Sequence, residues 1–204
     1  PQPLIAEEDG TLDLAVVGKF IKPDDIHFAK TRLLCLENTH NGLALPHSYF
    51  AKASEFCKTN SLSLHLDGAR LFNAAIYTGY DSTQISKSFD SISICLSKGL
   101  GAPVGSVLCG TKELVKEAKR WRKMLGGGMR QAGILAAAGI YALTHNIKRL
   151  EEDHENCRIL AKGLMSINEL KVEYPLNQTN MLFVTFPDTF KKYDDYMNQH
   201  GITV

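Results

Sequence analysis

The chain has 204 residues, of which 44% are hydrophobic and 22% charged; 23 Lys and Arg against 22 Asp and Glu leave a net charge of +1. This is the composition of a globular protein of one domain and part of a second, able to bury about 70% of its unfolded surface. It excludes whole-chain disorder and lacks the basic excess of a polyanion-binding domain.

No apolar run approaches the roughly 18 residues that span a bilayer. The acidic stretch at residues 1–9 contains no secretory apolar segment. Five cysteines, Cys35, Cys57, Cys95, Cys109 and Cys157, are odd in number and form no Cys-x-x-Cys pair. A reduced, intracellular chain is expected, cytoplasmic by default, with the mitochondrial matrix as the other option. There is no initiator Met, and the sequence stops at Gly-Ile-Thr-Val just after an expected helix, which reads as a piece of a longer protein.

In chain order, Thr11 is placed to cap a helix over 12–21, which Lys22-Pro23-Asp24-Asp25 breaks. Residues 32–37 form an apolar run of strand length, followed by a polar turn over 38–42. Pro46 suits a first helical turn, and Leu45, Tyr49, Phe50, Ala53 and Phe56 carry helical spacing to 59–60. A strand over 62–67 ends on Asp67-Gly68-Ala69-Arg70, and a helix then runs to Tyr77 and stops near Gly79. A strand over 91–96 leads into Ser97-Lys98-Gly99-Leu100-Gly101, and another over 104–109 closes at Gly110. Thr111 caps a basic helix reaching Met124, which Gly126-Gly127-Gly128 breaks. An Ala-rich helix follows from Gln131, interrupted near His145-Asn146, to about 166; a strand over 181–186 and a helix over 190–200 complete the chain.

Short apolar strands alternating with helices predict an α/β fold with a mostly parallel sheet covered on both faces. The pattern thins near residue 150, which divides a large domain at 1–150 from a connecting helix and the start of a smaller α/β domain at 151–204.

In such sheets ligands bind beyond the carboxyl ends of the strands. Those ends carry residues 38–42, 67–70 and 97–101. Lys98 follows a buried strand and precedes glycines: it is either a surface lysine on a glycine-rich turn or a desolvated amine able to form a Schiff base. Asp67 is either a helix N-cap or a carboxylate that keeps a pyridine nitrogen protonated, as pyridoxal phosphate requires. Arg70 either pairs with Asp67 or donates to an anionic oxygen. His40 either bonds the backbone of its turn or lines the site. Lys116, Lys119, Arg120, Arg122 and Lys123 read as a solvated basic face; Lys123 and Arg130 also flank a glycine loop able to wrap an anion. His65, between Leu64 and Leu66, is expected to pack in the sheet. His47, His145, His154 and His200 are expected on helix surfaces, and Trp121 at a packing or interface position. No metal-ligand spacing is present.

Five segments carry a family resemblance: His65-Leu-Asp67-Gly-Ala-Arg70-Leu, Ser97-Lys98-Gly-Leu-Gly-Ala-Pro-Val-Gly105-Ser, Arg120-Trp-Arg-Lys-Met-Leu-Gly-Gly-Gly-Met-Arg130-Gln, Leu36-Glu-Asn-Thr-His40-Asn-Gly42 and Asn180-Met-Leu-Phe-Val. Together they resemble the low-specificity L-threonine aldolases, fold-type-I (aspartate-aminotransferase-like) pyridoxal-phosphate enzymes, over essentially the whole chain in order. The resemblance implies that residues 1–150 are part of the cofactor-binding large domain. It implies aldol cleavage of L-threonine or L-allo-threonine to glycine and acetaldehyde. Lys98 matches the Schiff-base lysine, Asp67 the carboxylate facing the pyridine nitrogen, and Arg70 an arginine close to the cofactor. His40 matches a histidine that assists proton transfer or holds the substrate hydroxyl. Lys123 and Arg130 match basic residues close to cofactor and substrate anions and near the subunit interface of a homodimer or homotetramer.

The resemblance also implies that the family is longer than this chain at both ends. Its N-terminal part supplies the first strands, a phosphate cradle and a stacking histidine; its C-terminal part supplies an arginine for the substrate carboxylate. None has a counterpart here. Three alternatives stay open: another fold-type-I lyase (β-elimination) or an aminotransferase, a non-catalytic paralogue or partner chain, and a nucleic-acid module on the basic run at 116–123.

Overall fold

The computed structural model describes residues 1–176, 178–187 and 193–203. Its elements in chain order begin with α1 (Leu14–Lys19), β1 (Leu33–Glu37), α2 (His47–Thr59), β2 (Ser63–Asp67), α3 (Leu71–Thr78), α4 (Ser82–Ser86) and β3 (Ser91–Cys95). They continue with β4 (Ser106–Gly110), α5 (Lys112–Met124), α6 (Gly133–His145), α7 (Leu150–Met165), β5 (Lys171–Glu173), β6 (Phe183–Thr185) and α8 (Tyr193–Gln199).

The four-stranded sheet has the order β1-β2-β3-β4. β1, β2 and β3 run parallel, and β4 returns antiparallel to β3. β5 and β6 form a separate antiparallel pair. The mostly parallel sheet is therefore as expected.

Burial alternates along the strands. Leu34, Leu36, Leu64, Leu66 and Ile92 face one way and pack with Val17 of α1, Phe50 and Ala53 of α2, Leu71 and Ala74 of α3 and Ile85 of α4. Cys35, Ser63 and Asp67 face the other way and are exposed, with His65 and Ser93 only half-buried. Among the described residues helices cover one face only, which corrects the expectation of a sheet covered on both faces. The reason is visible in the strands, where Ser63-Leu64-His65-Leu66-Asp67 alternates with the period of two of a half-buried strand.

A second apolar cluster joins Leu96, Leu100 and Ala102 of the β3–β4 connection to Ala142 of α6 and Leu150 of α7. It anchors the base of the loop that carries Lys98.

Local chemistry explains most boundaries. Thr111 caps α5 by accepting from the Leu114 amide at 3.2 Å. Gly79 ends α3 in the left-handed region at φ +72°. α1 is shorter than the expected 12–21, because Asp13 caps it by accepting from the Ala15 amide at 2.8 Å. Thr11 instead donates its hydroxyl to Asp9 at 2.6 Å. α4 was not expected, although Asp81 and Gln84 form a capping box that marks its start. β5 was also missed, being three polar-flanked residues too short to show a period. The expected strand over 181–186 is β6, and the expected helix over 190–200 is α8 from Tyr193, with 190–192 lying outside the described residues.

Candidate active site

Parallel pairing brings the carboxyl ends of β1, β2 and β3 to one edge of the sheet. The register sets Glu37 beside Asp67 and Asp67 beside Ser93. The β3–β4 connection turns at the same edge, since Cys95 pairs with Ser106. The sequence-derived candidates Asp67, Arg70, Lys98 and His40 therefore share an edge that no local pattern specifies.

Lys98 is exposed at the top of a tied loop. The Gly101 amide donates to the Lys98 carbonyl at 2.8 Å, and the Leu96 amide to the Gly105 carbonyl at 2.9 Å. Asn146, between α6 and α7, donates its side-chain amide to the Leu100 carbonyl at 2.7 Å. A Cβ on Gly99 would meet Leu150 Cδ2 at 2.7 Å, so a larger residue here would push the loop or Leu150 aside. Nearby, burial alone would raise the Cys95 thiol, but hydrogen bonds from Ser97 and Ser106 and the Lys98 ammonium bring it below its usual value.

Asp67 Oδ1 accepts from the Ala69 amide at 3.0 Å. The carboxylate thus closes a local turn, while Arg70 occupies the N-cap position of α3. Asp67 Oδ2 has no hydrogen-bond partner among the described residues. The Gly68 amide donates to the Ser93 carbonyl at 2.8 Å, and a Cβ there would lie 3.0 Å from that oxygen. Arg70 is half-buried and forms no ion pair with Asp67 among the described residues. Asp67 shares the exposed face of the sheet with Cys35, and burial and then the Asp67 charge push the Cys35 thiol up.

His40 sits in a turn tied at both ends. Its amide donates to the Leu43 carbonyl at 2.9 Å, and the Leu43 amide donates back at 2.7 Å. Its Nδ1 lies 3.0 Å from Glu37 Oε2. Asn38 and Thr39 are buried; the Asn38 amide donates to the Asp67 carbonyl at 3.0 Å, and its Oδ1 accepts from the Leu45 amide at 3.2 Å. The buried Thr39 hydroxyl has no partner among the described residues.

Sequence reasoning missed two residues that hold this turn. Thr179 donates its amide and its hydroxyl to the Gly42 carbonyl at 2.9 and 2.7 Å, and Gln178 donates to the Asn41 carbonyl at 3.0 Å. Both are buried. The only sequence signal was their adjacency to the Asn180 segment.

Lys123, in the last turn of α5, and Arg130, on the α5–α6 connection, are both exposed. Lys123 Nζ donates to the Gly128 carbonyl at 3.3 Å, and its side chain occupies the space a Cβ on Gly128 would need. Among the described residues no hydrogen bond or ion pair joins either residue to Asp67, Arg70 or Lys98. His65 packs in the sheet as expected, its Nδ1 2.8 Å from Ser91 Oγ. His154 is a correction: it is half-buried between α7 and α3, its Nε2 3.1 Å from Asn73 Nδ2. No group of His, Cys, Asp or Glu suited to a metal ion occurs among the described residues, and no helix there is long and apolar enough to cross a membrane.

The sequence model of the beta-eliminating lyase family matches residues 1–187. The low specificity L-threonine aldolase of Escherichia coli K12 is 56% identical over 184 residues, covering 90% of this chain and 54% of that protein. The probable low-specificity L-threonine aldolase 2 of Arabidopsis thaliana is 44% identical, covering 92% of this chain and 54% of that protein. The chain thus spans about half the length of the curated relatives it matches. Among solved structures, a putative aromatic amino acid beta-eliminating lyase/threonine aldolase from Exiguobacterium superposes with a TM-score of 0.76 at 26% identity, covering 90% of this chain and 51% of the other. A putative L-allo-threonine aldolase from Listeria monocytogenes gives 0.73 at 28%, covering 90% and 50%. The fold is the fold-type-I α/β architecture, and with residues 1–187 of 204 matched the chain belongs to the beta-eliminating lyase family.

Proposed function

We propose that this chain carries the pyridoxal-phosphate site of an enzyme that cleaves L-threonine or L-allo-threonine to glycine and acetaldehyde. The observation that carries this reading is the placement of Asp67 and the Lys98 loop at the same edge of adjacent parallel strands. The donor set there fits the cofactor: an exposed amine, a carboxylate with one oxygen unpartnered among the described residues, and a half-buried guanidinium. Similarity to threonine aldolases over about nine-tenths of the chain supports it.

When bound, pyridoxal phosphate supplies an electron sink for the bond between Cα and Cβ of a β-hydroxy amino acid. The rest of the work falls to the chain. Lys98 offers the amine that holds the cofactor's carbonyl carbon. Asp67 holds the proton on its ring nitrogen. Arg70 donates to one of its anionic oxygens, and Lys123 and Arg130 add positive charge for cofactor and substrate anions. His40 takes the proton of the substrate hydroxyl, a role open to an imidazole nitrogen with a free lone pair.

In this reading residues 1–150 belong to the cofactor domain, and 151–204 carry the connecting helix and the start of a small domain that includes the separate β5–β6 pair. Apolar side chains exposed on the α5–α6 side, among them Trp121, Met124, Leu125 and Ile134, support a homodimer or homotetramer with the site near its interface. Five free cysteines suit a reducing compartment, the cytosol by default.

The test is to add pyridoxal phosphate to the purified chain and record the visible spectrum, with Lys98→Ala as control. The expected result is an absorption band that borohydride removes and that the variant lacks, followed by acetaldehyde release from threonine. A folded chain that gives no such band, or a Lys98→Ala variant that gives the same band, overturns the reading.

A further inference from the structure

Glu37 ends β1, beside Asp67 in the register, and its carboxylate faces a single partner among the described residues: Nδ1 of His40, at 3.0 Å. An ionised carboxylate only accepts hydrogen bonds, so a proton in this contact belongs to Nδ1. The other ring nitrogen, Nε2, lies 3.5 Å from the side-chain amide nitrogen of Asn41. An amide nitrogen only donates, so this contact asks Nε2 to accept. The Glu37 contact thus calls for a proton on Nδ1, and the Asn41 contact for a lone pair on Nε2.

The backbone keeps the two side chains in register. Glu37 is fixed by the β1–β2 ladder, and the amide and carbonyl of His40 are both tied to Leu43. The buried residues Asn38 and Thr39 fill the span between them. The Glu37-x-x-His40 spacing on this tied backbone therefore places an acceptor opposite Nδ1.

We propose that Glu37 is a positioning residue that fixes His40 as the Nδ1–H tautomer and so presents Nε2 as the proton acceptor at the carboxyl edge. The Nε2–Asn41 contact is at the long limit of a hydrogen bond, so an incoming hydroxyl can replace it. The inference rests on the reading of this edge as the reaction site. Within that reading, Glu37 decides which ring nitrogen receives the substrate proton, and without it the ring is free to adopt the Nε2–H form, which cannot accept there.

The test is long-range proton–nitrogen NMR of the cofactor-free chain, which distinguishes a protonated from an unprotonated ring nitrogen. His40 is expected to show Nδ1 protonated and Nε2 unprotonated. Glu37→Ala, with an unchanged far-ultraviolet spectrum, should shift His40 toward the Nε2–H form. Glu37→Gln, which keeps an acceptor oxygen, should hold part of the original signature. In the cofactor-loaded enzyme Glu37→Ala should lower kcat by about tenfold to a hundredfold, part of the roughly 10²–10⁴-fold that a positioned acid–base group contributes, while KM changes little. A wild-type His40 in the Nε2–H form, a tautomer unaltered by Glu37→Ala, or an unaltered kcat overturns the proposal. Failure of pyridoxal phosphate to bind tells against the functional reading alone, because the tautomer is read without it.

Discussion

Replacing Gly42 by alanine tests the contact that closes the His40 turn. Gly42 has φ +85°, and a Cβ there would lie 2.6 Å from Gln178 Nε2 and 2.8 Å from Met181 Cβ. An L-residue in the left-handed region costs about 1–2 kcal/mol. Pushing Gln178 away breaks its bond to the Asn41 carbonyl and leaves buried polar groups unpaired, at a further cost of about 1–3 kcal/mol. The expected loss is therefore about 2–5 kcal/mol. Gly79→Ala is the internal control: its φ is +72°, but nothing lies within 4 Å of the added carbon. It carries only the backbone cost of about 1–2 kcal/mol. At about 2–4 °C per kcal/mol for a chain of this size, Gly42→Ala should melt roughly 2–12 °C below Gly79→Ala. Thermal unfolding followed by circular dichroism measures both. Equal losses in the two variants would refute the steric argument and the latch that it describes.

Two further predictions rest on other parts of the molecule. Thr111→Ala removes the cap of α5, worth about 1 kcal/mol, but no residue of that helix is buried. Amide exchange in its first turn should quicken about fivefold while the melting temperature hardly moves; a large drop in melting temperature would contradict this local reading. Burial, against the pull of Asp153 and Glu151, holds the His154 imidazole below its ordinary value of 6.5. The unfolded chain then takes up this proton at higher pH than the folded one. The stability carried by the neutral ring is complete above 6.5 and is lost as pH falls through that value toward the lower folded one. Urea midpoints at about pH 7.5 and about pH 5.5 should differ more in the wild type than in His154→Gln. An equal difference in both would remove His154 as the cause.

All strands but β5 were legible because each is a short apolar or alternating run bounded by turn residues, as in Leu33–Glu37 and Ser63–Asp67. The cap at Thr111 and the stop at Gly79 were legible for a similar reason: a side-chain acceptor and a left-handed glycine act on neighbours a few residues away. Asp67, Lys98 and His40 stood out as polar groups following such runs. The open sheet face was also written in the alternation of β2, yet it was passed over because three short strands invited the pattern of a sheet covered on both faces. His154 looked like a helix-surface residue because its partner Asn73 on α3 lies 81 positions earlier.

By itself the sequence determined most of the elements, where most of those begin and end, and which chemical groups stand at the strand ends. These follow from hydrophobic period, caps and turn residues, all of which act over a few positions. Only the tertiary structure decided that β4 returns antiparallel and that Gln178 and Thr179 fasten a turn 137 residues away. Local pattern cannot specify those contacts, because closing so long a loop is driven by the burial of the whole core rather than by the residues that meet.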